Sequence, residues 1–296
     1  MAGNVEVLRN ARYRRHGKFN LIMARPRILV LRAPGTNCDE ETAHAFSVAG
    51  GLPERWHINR LLEEPGRVAD YQVLCVPGGF SYGDDIAAGR ILGNQMQHHL
   101  AGALEEFRAA GKLILGICNG FQILLKTSLL VAPDENGATA TLTLNDSGKF
   151  EARWVRLSVE ANSCVFLQGI REIELPVAHA EGKFVVPDAQ VYRGMEGEGR
   201  FVMRYAAKPG AEPSTGSAER TPQLARESDS VPYPDNPNGA MGKVAGVCDA
   251  TGRVFGLMPH PERFVDPTQH PRWTREPERE VGDGLRVFQN AVRYFL

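Results

Sequence analysis

No stretch of the 296-residue chain comes near the ~18 consecutive apolar residues that a membrane helix requires, so no segment reads as a span. Cysteine is scarce. The five present, Cys38, Cys75, Cys118, Cys164 and Cys248, are odd in number and widely scattered. No pair has the short spacing of a zinc-ligand set, and nothing resembles a secreted disulfide framework, so the expected setting is reducing and cytoplasmic with no metal held by the chain. An excess of either charge is also missing. Thirty-four Lys and Arg against 35 Asp and Glu leave a formal net charge of -1, which offers no electrostatic footprint for nucleic acid. Phosphate-binding loops are absent too. Gly111-Lys112 is followed by Leu113, with Glu106 at the earlier glycine position of a P-loop, and no dinucleotide fingerprint follows the first apolar run.

Charge is unbalanced in one place. Residues 1–26 hold Arg9, Arg12, Arg14, Arg15, Lys18 and Arg25, with Glu6 as the only acid. Such a segment could target the chain or bind a polyanion. The plainer reading, preferred here, is a basic leader outside the fold or a start codon placed ahead of Met23. A second region without apolar periodicity is the Pro-, Ser- and Gly-rich stretch 206–230, expected to be a flexible surface loop.

Between these lies an alternation of short apolar runs and helical patterns. Arg27–Ala33, Arg55–Ile58, Tyr71–Val76 and Lys112–Ile117 read as strands; Cys38–Gly50 and Gln95–Ala110 read as helices. Strands that are apolar throughout belong to a parallel sheet covered on both faces. Further on, Thr139–Thr143, Trp154–Val159, Leu175–His179, Lys183–Val186, Phe201–Tyr205 and Lys243–Cys248 are strand-like and separated by turns. These read as antiparallel additions to the same sheet, not as a separate domain. Leu285, Phe288, Val292 and Phe295 form a helical stripe that reads as core packing. The expected organisation is therefore one α/β/α domain over 27–296.

One cysteine stands in a chemical setting. Gly116-Ile117-Cys118-Asn119-Gly120 joins the strand Lys112–Ile117 directly to a helix, the arrangement of a nucleophile elbow with sulfur in place of oxygen. The glycines remove side chains that would clash at so sharp a turn, and the helix N-terminus favours thiolate. A thiolate needs a base and an orienting group. Pro259-His260-Pro261-Glu262 follows the strand-like Val254–Met258; its prolines exclude a helix, and an extended segment would turn His260 and Glu262 to one side. Of the eight histidines, His179 is the best competitor for base. Acyl transfer also needs oxyanion donors, for which the backbone N–H groups of Asn119 and of Gly79, in the turn Pro77-Gly78-Gly79-Phe80, are the candidates.

These pieces together resemble the class I glutamine amidotransferases. The blocks PGTNCDEET (34–42), PGGFSYGDDIAAG (77–89), GICNGFQIL (116–124), VAHAEGKF (177–184), DNPNGA (235–240) and MPHPERFVDPTQHPRW (258–273) narrow the likeness to the glutaminase subunits of phosphoribosylformylglycinamidine synthase. The likeness runs from about Arg27 to Leu296. It implies a three-layer, flavodoxin-like α/β/α sheet, mostly parallel with antiparallel additions, and hydrolysis of L-glutamine to glutamate and ammonia. By position it implies that Cys118 is the nucleophile, His260 the base and acid, and Glu262 the orienting carboxylate. Gln122 would help fix the substrate amide or its surroundings, Gly78 would lie beside the substrate, and the backbone near His179, Ala180 and Glu181 would hold the amino-acid end. The family places ATP and Mg²⁺ chemistry on a large synthetase subunit (PurL), often with a small bridging subunit (PurS), which leaves this chain with no cofactor of its own. The departures are the basic leader, the loop 206–230, and Ala240 where serine is common. A glutaminase for a different synthetase, or a non-catalytic regulatory module on the same fold, are the alternatives.

Overall fold

The computed structural model describes residues 25–84, 87–133, 140–160, 163–207, 231–275 and 279–296. Residues 1–24 of the basic leader and 208–230 of the polar loop therefore lie outside the described residues.

The first strand, β1 (Arg27–Arg32), is buried along its middle and leads through Pro34-Gly35 into α1 (Asp39–Val48). β2 (Leu52–His57) follows, then α2 (Ile58–Glu63), β3 (Val73–Val76), α3 (Arg90–His99), α4 (Ala101–Ala109) and β4 (Leu113–Ile117). The strand expected to end at Ile58 ends one residue earlier, because the His57 ring nitrogen accepts from the Asn59 N–H and caps α2. The single helix expected over 95–110 is two helices that begin at Arg90 and part at Leu100.

α5 (Asn119–Lys126) leaves β4 without a connecting loop. The later chain supplies β5 (Thr141–Thr143), β6 (Glu151–Val159), β7 (Glu172–His179), β8 (Lys183–Val185), α6 (Ala189–Gly197), β9 (Phe201–Ala206), β10 (Val244–Cys248), β11 (Val254–Leu257) and α7 (Leu285–Arg293). Nine strands form one sheet in the order β2-β1-β3-β4-β11-β10-β9-β6-β7. Pairing is parallel from β2 to β11 and antiparallel from there to β7. β5 and β8 pair with each other in a separate two-stranded ribbon instead of joining the main sheet.

The order explains the layers. From β1 to β2 the chain steps one way along the sheet, and from β3 to β4 the other. With right-handed crossovers, α1 therefore covers one face and α3–α4 the opposite one. α7 joins α1, with Phe46 and Phe288 meeting edge to face at 4.8 Å. The strands β3, β4, β10 and β11 are buried at every residue, as a sheet covered on both faces requires. Among the described residues, no helix is long and apolar enough to cross a membrane.

Candidate active site

Ligand sites in parallel sheets gather beyond the carboxyl ends of the strands. Here the two central strands end in chemistry. β4 runs into Cys118, and its parallel neighbour β11 runs through Met258 and Pro259 into His260, with Ile117 paired to Leu257. The Cys118 N–H donates to the Leu257 carbonyl at 2.8 Å, and the His260 N–H to the Pro176 carbonyl at 2.8 Å. Both residues are thus pinned by main-chain bonds to the sheet.

The elbow is as tight as the glycines imply. Cys118 has φ 52° and ψ −108°, a strained conformation for a residue with a side chain. A Cβ on Gly120 would lie 1.8 Å from the Val76 carbonyl oxygen, so only glycine lets the helix start against β3. The thiol itself is buried, with Sγ 3.8 Å from the Ala178 carbonyl oxygen.

His260 and Glu262 are both buried, and Nδ1 lies 2.6 Å from the Glu262 carboxylate. The expected extended stretch is not what brings them together. Pro261–Arg263 is a single 3₁₀ turn, with Pro261 at the first position where its fixed φ suits a helix start. Burial works to lower the His260 pKa. The Glu262 carboxylate, with the Cys118 sulfur beside the ring, overrides burial and raises it well above the ordinary histidine value. Nε2 is buried without a hydrogen-bond partner among the described residues. A Cβ on Gly78 would come within 2.9 Å of His260 Cε1, 3.1 Å of Cys38 Sγ and 3.5 Å of Cys118 Cβ, so Gly78 keeps open the space where the three meet.

The oxyanion candidates lie on either side. Gly79 faces Thr36 in an antiparallel bridge, beside which the Phe80 N–H donates to the Gly35 carbonyl. That bond pattern marks the non-hydrogen-bonded pair, so the bridge does not use the Gly79 N–H. Asn119 begins α5, where the first N–H groups have no partner within a helix. Its side chain ties the two segments together, accepting from the Ser81 N–H at 3.2 Å and donating to Asp84 at 3.2 Å and Gln122 Oε1 at 2.9 Å. Gln122 in turn donates to the Glu181 carbonyl at 2.6 Å. Gln122 therefore holds the surroundings of the site, and the backbone of 178–182 passes beside the thiol. The His179 ring does not compete for the role of base. It is buried against Asn145, and burial, with His260 nearby, lowers its pKa to about 4.

Two residues of the site carried no signal as single positions. Cys38, ahead of α1, places its thiol beside the imidazole and accepts from Arg263 at 3.2 Å; Arg263 also binds Glu41 at 2.9 Å. Burial pushes the Cys38 thiol up, which keeps it protonated next to a base that must serve Cys118. Cys38, His260 and Glu262 have donor atoms within 4.8 Å of one another; His260 Nδ1 is taken up by Glu262 and the Cys38 sulfur by Arg263, while His260 Nε2 carries no hydrogen bond among the described residues. The spacing of PGTNCDEET from HPER, over 200 residues, hid the contact; only their shared place in the family blocks could have joined them.

Comparison with known proteins agrees with this geometry. The family model described as CobB/CobQ-like glutamine amidotransferase domain matches residues 25–295. A phosphoribosylformylglycinamidine synthase subunit PurQ from Dehalococcoides mccartyi is 46% identical over 273 residues, covering 92% of this chain and 98% of the relative. The corresponding subunit from Methanococcus maripaludis is 38% identical over 287 residues, covering 93% and 99%. Among solved structures, a chain of PurLQS from Thermotoga maritima superposes with a TM-score of 0.66 at 31% identity, covering 91% of this chain and 99% of that one. With its elbow cysteine, its buried histidine–glutamate pair and likeness along nearly its whole length, this chain belongs to the CobB/CobQ-like glutamine amidotransferase family and, within it, to the PurQ subunits of phosphoribosylformylglycinamidine synthase.

Proposed function

We propose that this chain is the glutaminase subunit of phosphoribosylformylglycinamidine synthase. It hydrolyses L-glutamine and passes ammonia to an ATP-dependent synthetase that makes formylglycinamidine ribonucleotide in purine biosynthesis. The observation that carries the reading is Cys118, strained at the head of α5, beside an imidazole held by a buried carboxylate.

Chemistry follows from that arrangement. The Cys118 thiolate attacks the carboxamide carbon, and the electron pair of the C=O bond moves to oxygen. The backbone N–H groups of Gly79 and Asn119 receive this oxyanion, each such donor being worth about 10²–10³ in rate. His260, protonated and steered by Glu262, delivers its proton to the departing nitrogen, and ammonia leaves a glutamyl thioester. His260 then takes a proton from water, the hydroxide equivalent attacks the thioester, and glutamate and the thiolate are released. Acid–base help of this kind contributes about 10²–10⁴.

The chain works in a complex with the large synthetase subunit, PurL, and we assign it the small subunit PurS as a further partner. ATP and Mg²⁺ belong to the synthetase, so this chain is assigned no cofactor. The test is a Cys118→Ala variant assembled with PurL and PurS. Glutamine-dependent synthesis should vanish while ammonia-dependent synthesis survives; loss of both, or retention of the first, would refute the reading. Labelling of Cys118 by a glutamine-analogue diazoketone, blocked by glutamine, checks the same assignment without the partner.

A further inference from the structure

Two sulfurs stand beside the His260 ring, and the reaction uses one of them. Cys118 is the nucleophile; Cys38, ahead of α1, takes no part in any bond that forms or breaks. Gly78 marks where the three groups converge. One point, the place a Cβ on Gly78 would take, stands within 3.5 Å of His260 Cε1, Cys38 Sγ and Cys118 Cβ. A residue without a side chain keeps that point clear.

A second observation points to a ligand. His260 Nε2 is buried and has no hydrogen-bond partner among the described residues, while Nδ1 is held 2.6 Å from the Glu262 carboxylate. An imidazole fixed by a carboxylate at one nitrogen and open at the other is the arrangement that orients histidine toward a metal ion. Donor atoms of Cys38, His260 and Glu262 also lie within 4.8 Å of one another. Sulfur and nitrogen ligands of a tetrahedral zinc ion stand roughly 3.6 Å apart. Cysteine carries its sulfur on one rotatable bond, so closing to that spacing is a side-chain adjustment.

We propose that Cys38, Cys118 and His260 form a site for a thiophilic divalent cation such as Zn²⁺, which closes the glutaminase reversibly. This inference rests on the glutaminase reading. The ligands are the two sulfurs and Nε2, with water in the fourth position, and Glu262 holds the imidazole from behind. Thiolate and imidazole suit zinc, whereas Mg²⁺ takes oxygen ligands, so the metal of the synthetase does not compete here. The Cys38 thiol, which donates to Asn37 Oδ1 at 3.3 Å, sheds its proton on binding. Charge is matched, because two thiolates neutralise the dication and Arg263, which donates to Cys38, is paired with Glu41 at 2.9 Å. The ion occupies the nucleophilic sulfur and the nitrogen of the acid–base group together. Cys38 is what turns that pair into a three-ligand chelate.

The test uses the chain assembled with its synthetase partner, with free Zn²⁺ set by a metal buffer and each protein compared with its own zinc-free rate. In the wild type, Zn²⁺ should abolish glutamine-dependent turnover, a chelator should restore it, and ammonia-dependent synthesis should continue. Cys38→Ser should need at least about 100-fold more free Zn²⁺ for the same fractional inhibition, the upper end of what losing an outer-shell contact costs. A second measurement needs no turnover. Co²⁺ bound to the full wild-type chain should show the visible bands of a tetrahedral ion, with a thiolate-to-metal charge-transfer band worth two sulfurs more than in the Cys38→Ser/Cys118→Ser chain. Equal zinc sensitivity of Cys38→Ser and wild type, or a band worth one sulfur, would reduce the site to adventitious binding at Cys118 and overturn the proposal. So would inhibition that a chelator does not reverse, or a parallel loss of ammonia-dependent synthesis. If the zinc-free wild-type complex does not turn over glutamine, the glutaminase reading fails instead, and the cobalt band still judges the site.

Discussion

A Glu262→Gln substitution removes one buried charge from the site and leaves its shape in place. The carboxylate oxygen lies 2.6 Å from His260 Nδ1, and both side chains are buried. The amide oxygen of the variant could still accept from Nδ1–H, so the imidazole keeps its orientation while its negative partner is lost. A hydrogen bond to a charged partner is worth about 1.5–3 kcal/mol against roughly 1 kcal/mol for a neutral one. The difference, about 0.5–2 kcal/mol, corresponds to about 2- to 30-fold in kcat/KM at 1.36 kcal/mol per decade, and this is the loss expected of the amide variant. Direction in pH follows from the raised His260 pKa, which opposes the effect of burial and depends first on Glu262. The imidazolium acts as the acid, so activity is lost as pH rises through that raised value; without the carboxylate the loss must begin at lower pH. The same sign governs stability. The contribution of protonated His260 is fully present below the unfolded histidine value of about 6.5 and disappears as pH climbs through the folded one. The assay is glutamine-dependent turnover by the assembled complex across pH, with thermal unfolding measured on the same samples. A high-pH limb that stays in place, or moves upward, would refute the assignment of Glu262 as the group that holds the imidazole charged.

The elbow can be tested sterically. Gly120→Ala places a methyl 1.8 Å from the Val76 carbonyl oxygen and should abolish turnover and lower Tm. Gly102→Ala, with nothing within 4 Å in α4, should raise stability by about 0.5–1 kcal/mol, read as a Tm rise without change in activity. Phe288→Ala removes the α7 ring that meets Phe46 and should cost about 3–5 kcal/mol in denaturant unfolding. His179 has its pKa lowered to about 4 and should stay neutral down to about pH 5, so ring proton titration should find no histidine at that position charging between pH 5 and 7.

Much of this was legible in the sequence where one residue type has one physical job. Gly116 and Gly120 announced the elbow because no side chain fits there, and the apolar runs announced β1, β3 and β4 because a strand buried on both faces needs them. Boundaries blurred where caps decide them. His57 ends β2 by capping α2, and Leu100 divides a helical pattern that reads continuously. β6 starts at Glu151, before the apolar alternation that marks it, since its first residues pair with the end of β7. α6 was not expected at all; only Asp188, which caps the Gln190 and Val191 N–H groups, signals its start. In the site, Cys118 and His260 were visible, whereas Cys38 and Arg263 act through contacts that local sequence does not encode.

The neighbouring places of β4 and β11 have a consequence for the making of the protein. β4 carries the nucleophile, but the strand that flanks it and brings the base is separated from it by 136 residues. As the chain grows, Cys118 emerges long before His260, so the nascent protein holds a thiol with no base to activate it. Until β11 inserts, the inner edge of β4 is an unpaired apolar strand, the kind of surface that aggregates. Contacts this distant in sequence form slowly. Reactivity and a sealed sheet therefore arrive in one late event, and a chain cut short before residue 254 would be both inert and sticky.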